Sequence, residues 1–260
     1  MNKVLFAIGA LLLLMPLGFR FVEEREHEKL ISTYWEELEE VDESEMEKCF
    51  ESARSYNEAL YETGLIDLEG YETELYLYGN GMMGTIEIPK ISVKLPIYHG
   101  TEEDVLASGI GHLKESSLPV GGENSHSVLS GHRGLPNAQL FTRLDELEEG
   151  DIFSIQICNQ RLNYRVCDIC VVEPEETEGL VIQAGRDLVS LVTCTPYGIN
   201  THRLVVTGER VTEESVENNI EINRVSKRDL ILFVLPFLFL LAAVVQRRRR
   251  KRCEGEEVCV

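Results

Sequence analysis

The sequence predicts a mainly β domain, a closed barrel or a sandwich, with an acidic helical extension before it and an apolar segment at each end of the chain. Three observations carry this prediction. Short alternating or β-branched runs crowd the stretch from Gly81 to residue 212. Turn signals separate them, clearest in "GGEN", "EEGD" and "PYGIN". Helical interruptions in that stretch are brief, at residues 103–107 and 138–147. Many short strands in so small a space bury their apolar faces by closing on themselves or by stacking as two sheets.

The elements follow in chain order. Residues 1–22 contain an uncharged run of sixteen residues, Val4 to Phe19, after Lys3. It reads as a membrane anchor or a signal segment; no A-x-A cleavage site follows, which favours an uncleaved anchor. Residues 23–80 form the acidic extension. Between Val22 and Tyr78 stand nineteen acidic residues against four Lys or Arg, so most of the net charge of -20 sits here. Leu30, Tyr34, Leu38 and Val41 share one helical stripe, and Met46, Phe50, Ala53 and Leu60 continue it after a slip. Two amphipathic helices are expected, with a break near "VDESE" and Asp42 or Ser44 as cap of the second. Gly64 and Gly70 punctuate the loop that follows.

Residues 81–212 hold the strands: "GTIEIP", "SVKLPI", "HSVLSG", "DIFSIQI", "LNYRVCDICVV", "LVSLVTC" and "HRLVVTGERV". Residues 213–229 are polar and read as a tether. A second apolar run, Leu230 to Val245, marks residues 230–246 as a transmembrane helix. At about 1.5 Å per residue each apolar run spans roughly 24 Å, which snorkelling side chains extend toward a ~30 Å hydrocarbon core. "RRRRKR" at Arg247–Arg252 places the tail, residues 247–260, in the cytoplasm and the β domain outside it. Composition excludes two classes. A hydrophobic content of 43 % is too low for a polytopic membrane protein, and the strong negative charge excludes nucleic acid as a partner.

Seven cysteines occur, five of them before the second apolar run, without framework spacing. Cys167 and Cys170 form a C-x-x-C, but in an alternating strand their odd separation sends them to opposite faces, and no second pair completes a zinc site. They are expected to be packing residues. No metal or other cofactor is implied, and the acidic residues show no calcium-loop spacing.

Cys194 closes the strand "LVSLVTC". A thiol is a nucleophile only as thiolate, about 3 % of the population at pH 7 for an unperturbed group, so a catalytic cysteine needs an imidazole or a cation beside it. Six histidines are available: His27, His99, His112, His126, His132 and His202. His132 follows a strand between Gly131 and Arg133-Gly134, where small residues leave room for a substrate. His202 and Arg203 are adjacent, so in an extended strand only one of them faces Cys194. Spacing alone leaves open a functional Cys/His/Arg site and a satisfied structural set.

The stretch "TCTPYGINTHRLVVTG", with "IEIPKISVKLPIYHG" and "LSGHRGLPNAQLFTRLDELEEGD", closely resembles the pilin-polymerising class C sortases over residues 80–212. The resemblance implies an eight-stranded sortase β-barrel with Cys194 as nucleophile, His132 as the proton-transferring histidine and Arg203 as the arginine. It also implies a membrane-bound transpeptidase. Such an enzyme cleaves an LPXTG-like sorting signal on pilin or surface proteins through a thioacyl intermediate, then joins it to a lysine amine of the next pilin. Thr193 is expected to contact substrate or orient the strand end. Class C members carry a lid with an Asp-Pro-aromatic triplet; this chain has no Asp-Pro pair, and Asp67-Leu68 is the nearest candidate for a lid. Two alternatives remain: a sortase that anchors surface proteins to peptidoglycan, and a non-catalytic membrane-tethered binding domain.

Overall fold

The computed structural model describes residues 25–65, 68–77, 81–135 and 139–212, with isolated positions before residue 23. The terminal anchor, the tether, the transmembrane helix, the cytoplasmic tail and Asp67 of the expected lid lie outside the described residues; of Leu68 only the backbone is described. Among the described residues no helix is long and apolar enough to cross a membrane.

Eight strands close into a barrel in the order β1-β2-β3-β4-β7-β8-β6-β5, with β5 pairing back onto β1. They are β1 (Met82–Ile88), β2 (Val93–His99), β3 (Ile110–His112), β4 (Ser125–Ser130), β5 (Ile152–Ile157), β6 (Gln160–Val172), β7 (Asp187–Thr195) and β8 (His202–Val211). Seven coincide with the alternating runs of the sequence. The eighth, β3, has only three residues, too few to show a period. Two pairings are parallel, β2 with β3 and β4 with β7; the rest are antiparallel. Closure leaves no free sheet edge. Inward residues Ile86, Leu95, Leu129, Phe153, Ile155, Tyr164, Val189, Leu191 and Val206 fill the interior. Gly208 on β8 makes room for the stacked rings of Phe153 and Tyr164: a Cβ there would stand 2.5 Å from the Phe153 ring.

The extension packs on this barrel. Helix α1 covers residues 25–39, and its buried stripe is Ile31, Tyr34 and Leu38. Leu30, expected on that stripe, is 49 % exposed: Ile31, seven residues before Leu38, lies about 20° from it round the helix, whereas Leu30, eight before, lies about 80° away. Helix α2 (Glu43–Thr63) starts at Asp42, whose carboxylate accepts from Ser44 N at 2.8 Å, and ends at Gly64, left-handed at φ 63°. Its buried face is Phe50, Ala53, Asn57 and Leu60. Asn57 donates Nδ2 to Leu118 O (3.0 Å) and accepts Leu118 N on Oδ1 (2.7 Å), an amide clamp between extension and barrel. The short helix α3 (Leu68–Tyr71) delivers Tyr71, fully buried, to His112 on β3 and to Gly100 N.

Two other expectations are corrected. Residues 103–108 do form a helix, α4 (Glu103–Ser108), but only a single 3-10 turn, Leu144–Glu146, stands in the described part of 138–147. The buried Arg143 guanidinium pins that turn by bonding Glu146 and the Ile91 carbonyl. The C-x-x-C cysteines do not serve as packing. A bulge between Val166 and Asp168 resets the alternation of β6, so Val166 and Ile169 both face inward. Cys167 is exposed and Cys170 half-buried, neither of them part of the core.

Candidate active site

The site forms where the parallel strands β4 and β7 end side by side. Their register runs from Ser125 opposite Asp187 to Ser130 opposite Val192. Parallel strands release their chains at the same end, so Gly131-His132 and Thr193-Cys194 emerge together although 62 residues separate the histidine and the cysteine. On the other side of β7, Cys194 is the direct cross-strand partner of Arg203, and Thr195 that of His202. Arg203 therefore shares a face with Cys194 and His202 does not, with no bulge between them.

The backbone around His132 is fastened at every residue. Gly131 N donates to Val192 O (3.0 Å), and Gly131 O accepts from Thr193 Oγ1 (2.7 Å). Phe141 N donates to His132 O (3.1 Å). Arg133 Nη1 donates to Thr195 Oγ1 (3.0 Å), and its Nη2 pairs with Asp145 at 2.8 Å. The neighbours of the imidazole are thus bonded to the residues immediately before and after the cysteine. Arg133 is almost wholly buried; sequence reasoning passed over it as a flank of His132. The only available signal was a charged residue inside an otherwise tight Gly-rich turn.

Thr193 is buried, and its hydroxyl is held by the Gly131 carbonyl, which leaves it orienting the strand end. The glycines around His132 serve packing rather than substrate space. A Cβ on Gly131 would stand 2.7 Å from Ile110 and 2.8 Å from Phe141, and one on Gly134 would meet the Tyr197 ring at 3.1 Å. His132 is 23 % exposed in its side chain, and Nε2 lies 3.4 Å from Glu103 Oε1, an ion pair whenever the imidazole is protonated. Arg203 Nη1 donates to the His202 carbonyl at 3.2 Å. Cys194 is half-buried, accessible but shielded.

The remaining histidines are accounted for. His126 is buried; its Nδ1 bonds Val181 O (2.9 Å) in the β6–β7 connection and its Nε2 bonds Ser190 Oγ (2.8 Å). Burial holds its pKa below the ordinary imidazole range. His112 donates Nε2 to Ser117 O (2.8 Å) and meets Tyr71 Oη at Nδ1 (3.1 Å); burial lowers its pKa to about 4. His99 bonds the Glu74 carbonyl (2.8 Å), His202 bonds Thr201, and His27 bonds the Ser108 carbonyl. Among the described residues no group of three or more His, Cys, Asp or Glu side chains is arranged to hold a metal.

A half-buried thiol, an imidazole with a carboxylate beside it and a guanidinium, all on one barrel rim, can perform acyl transfer through a thioester. The thiolate attacks, the imidazolium protonates the leaving amine, and the guanidinium's fixed donors stabilise the oxyanion.

Comparison with known proteins points the same way. The model of the sortase domain matches residues 86–211. Sortase D of Bacillus subtilis (strain 168) is 36 % identical over 132 residues, half of this chain. The chain spans 64 % of that relative's length, and 60 % of the sortase A of Bacillus anthracis. Among solved structures, sortase C1 of Streptococcus agalactiae superposes with a TM-score of 0.69 at 44 % identity, covering 71 % of this chain and 99 % of that one. A sortase C of Clostridium perfringens, solved with the C-terminal cell wall sorting motif, gives 0.66 at 44 % identity, covering 71 % and 98 %.

Proposed function

Because the chain belongs to the sortase family, we propose that it is a class C cysteine transpeptidase that joins pilin subunits outside the cell membrane. The Cys194 thiolate attacks the Thr–Gly carbonyl of an LPXTG-like sorting signal. His132, as imidazolium, protonates the leaving glycine amine. Arg203 binds the oxyanion or the substrate backbone beside it. A lysine amine of the next pilin then attacks the thioester, His132 takes the proton, and an isopeptide bond results. The partners are LPXTG-bearing pilin or surface proteins and the cytoplasmic membrane, held through Val4–Phe19 and Leu230–Val245 with the basic tail inside. Asp67 and Leu68 are proposed to shield the groove as a reduced lid.

The observation that carries this reading is the double fastening of the His132 segment to the residues on either side of Cys194, with Arg203 register-paired to that same cysteine. Mass spectrometry after incubation with an LPXTG-containing peptide tests it. A thioacyl adduct on Cys194, absent from Cys194→Ala, is the expected result; an adduct elsewhere, or none, rejects it. A covalent pilin ladder in cells, lost in Cys194→Ala, distinguishes polymerisation from anchoring to peptidoglycan, where only single subunits are attached.

A further inference from the structure

Acyl transfer at Cys194 asks two things of His132: to give a proton to one amine and to take one from the next. One ring nitrogen can do both only if the other keeps its own proton throughout, and the partner of that other nitrogen decides which is free. Nε2 of His132 is closed off from solvent and makes no hydrogen bond among the described residues. The carboxylate oxygen Oε1 of Glu103 stands 3.4 Å from it. Glu103 is the first residue of α4, and its side chain is 87 % exposed, so the carboxylate is free to turn onto the ring.

The backbone that leads to Glu103 is held by three contacts. Gly100 N donates to Tyr71 Oη at 2.9 Å. Gly111 on β3 carries no side chain where the Gly100 carbonyl passes, and a Cβ there would run into that oxygen. Lys114 Nζ bridges Glu72 of the extension (3.1 Å) and Glu102 (3.0 Å). Lys114 thus takes the carboxylate next to Glu103 and leaves that of Glu103 to the imidazole.

We propose that Glu103 is a positioning residue for His132: it accepts the Nε2 proton and reserves Nδ1 for the substrate amines. The proposal rests on the acyl-transfer reading of the site. The imidazolium carries two protons, one on each nitrogen. Nδ1 gives its proton to the glycine amine as the C–N bond breaks and the thioester forms, while Nε2 keeps its own against Glu103. The neutral ring then presents a lone pair on Nδ1 to the incoming lysine amine. It takes one proton as the isopeptide C–N bond forms and the C–S bond breaks, which restores the thiolate and the imidazolium. Glu103 stays a carboxylate throughout, the part a carboxylate plays beside a catalytic histidine in nucleophilic triads.

The test uses the full chain in detergent micelles. Glu103→Ala removes the carboxylate from a helix that buries none of its residues, so the variant is expected to fold. Thioacyl formation on Cys194 is followed by rapid quenching and mass spectrometry over a range of LPXTG-peptide concentrations. In Glu103→Ala the maximal rate is expected to fall about 2- to 5-fold, the scale of an exposed ion pair, with the half-saturating concentration unchanged. In a His132→Ala background the same substitution is expected to change nothing, since its effect passes through the ring. Ring-nitrogen NMR gives a readout that needs no substrate: in the neutral ring of the wild type the proton resides on Nε2, and in Glu103→Ala it is shared between the two nitrogens. A wild-type rate in Glu103→Ala, a loss confined to the half-saturating concentration, an equal loss without His132, or a neutral ring protonated at Nδ1 overturns the proposal. No adduct on wild-type Cys194 rejects instead the acyl-transfer reading on which it rests, and the NMR outcome still decides whether Glu103 holds Nε2.

Discussion

The buried guanidinium of Arg133 ties the turn that carries His132 to Thr195, one residue past the sulfur, and to Asp145 beyond the turn. It is a positioning group, so its loss shifts the imidazole without removing it. Displacements of about 1 Å at a reacting group cost on the order of 100-fold. Arg133→Gln is expected to slow thioacyl formation with an LPXTG peptide by roughly 10- to 100-fold. His132→Ala should fall further, and single-turnover mass spectrometry separates the two. A second residue-scale prediction concerns His112. Its folded pKa, lowered by burial to about 4, lies beneath the ordinary imidazole value, so the unfolded chain binds more protons between them. Stability from this residue is complete above about pH 6.5 and is lost as the pH falls toward about 4, amounting to about 3 kcal/mol at most. Thermal midpoints measured from pH 7 to pH 4 should fall, and His112→Gln, less stable at pH 7, should show a shallower slope. Of the candidate site, Cys194, His132 and Arg203 were named through the resemblance of their motifs. Arg133 was not, because a charged neighbour reads as solvated until its burial is known.

At the scale of elements, the junction between extension and barrel rests on polar pegs set in apolar faces. Asn57 sits in the stripe of α2 where periodicity asks for an apolar side chain, and satisfies both backbone groups of Leu118. Asn57→Leu fits the pattern of the helix but leaves the buried Leu118 N–H without a partner and its carbonyl with only the Val120 N–H, at a cost of about 2 kcal/mol. Denaturant unfolding should register that loss, and hydrogen exchange at Leu118 should quicken. Strands were legible wherever one face is buried, since alternation then marks the sequence for five residues or more. It failed for β3, three residues long, and across the bulge of β6, where an extra residue changes the parity of everything after it. Residues 138–147 misled for a different reason. Their helical spacing exists, but the Arg143 bonds to Ile91 and Glu146 hold a 3-10 turn instead.

For the molecule as a whole, the extension is part of the core rather than an appendage. Phe50, Ala53, Tyr71 and Leu75 belong to the same buried cluster as the barrel interior, and Ile31, Tyr34 and Leu38 enclose Met82. A chain beginning at Gly81 would expose that surface. It is expected to lose at least 10 °C of thermal midpoint, by roughly 2–4 °C per kcal/mol lost, or to aggregate, as calorimetry and size-exclusion chromatography would show. Labelling of Cys194 by a thiol reagent in such a fragment would then report a loosened barrel as much as an uncovered groove.

The side-by-side ending of β4 and β7 carries a last consequence for how such a chain tolerates insertion. Ladder register fixes the face that Cys194 shares with Arg203, and a single added residue within Asp187–Thr193 would turn Cys194 to the opposite face. The connection before β7, residues 173–186, enters that ladder only at its far end. Growth or shrinkage there would leave the register of β4 against β7 and of β7 against β8 as it is, which makes that connection a stretch of chain free to vary in length without moving Cys194 off its partner Arg203.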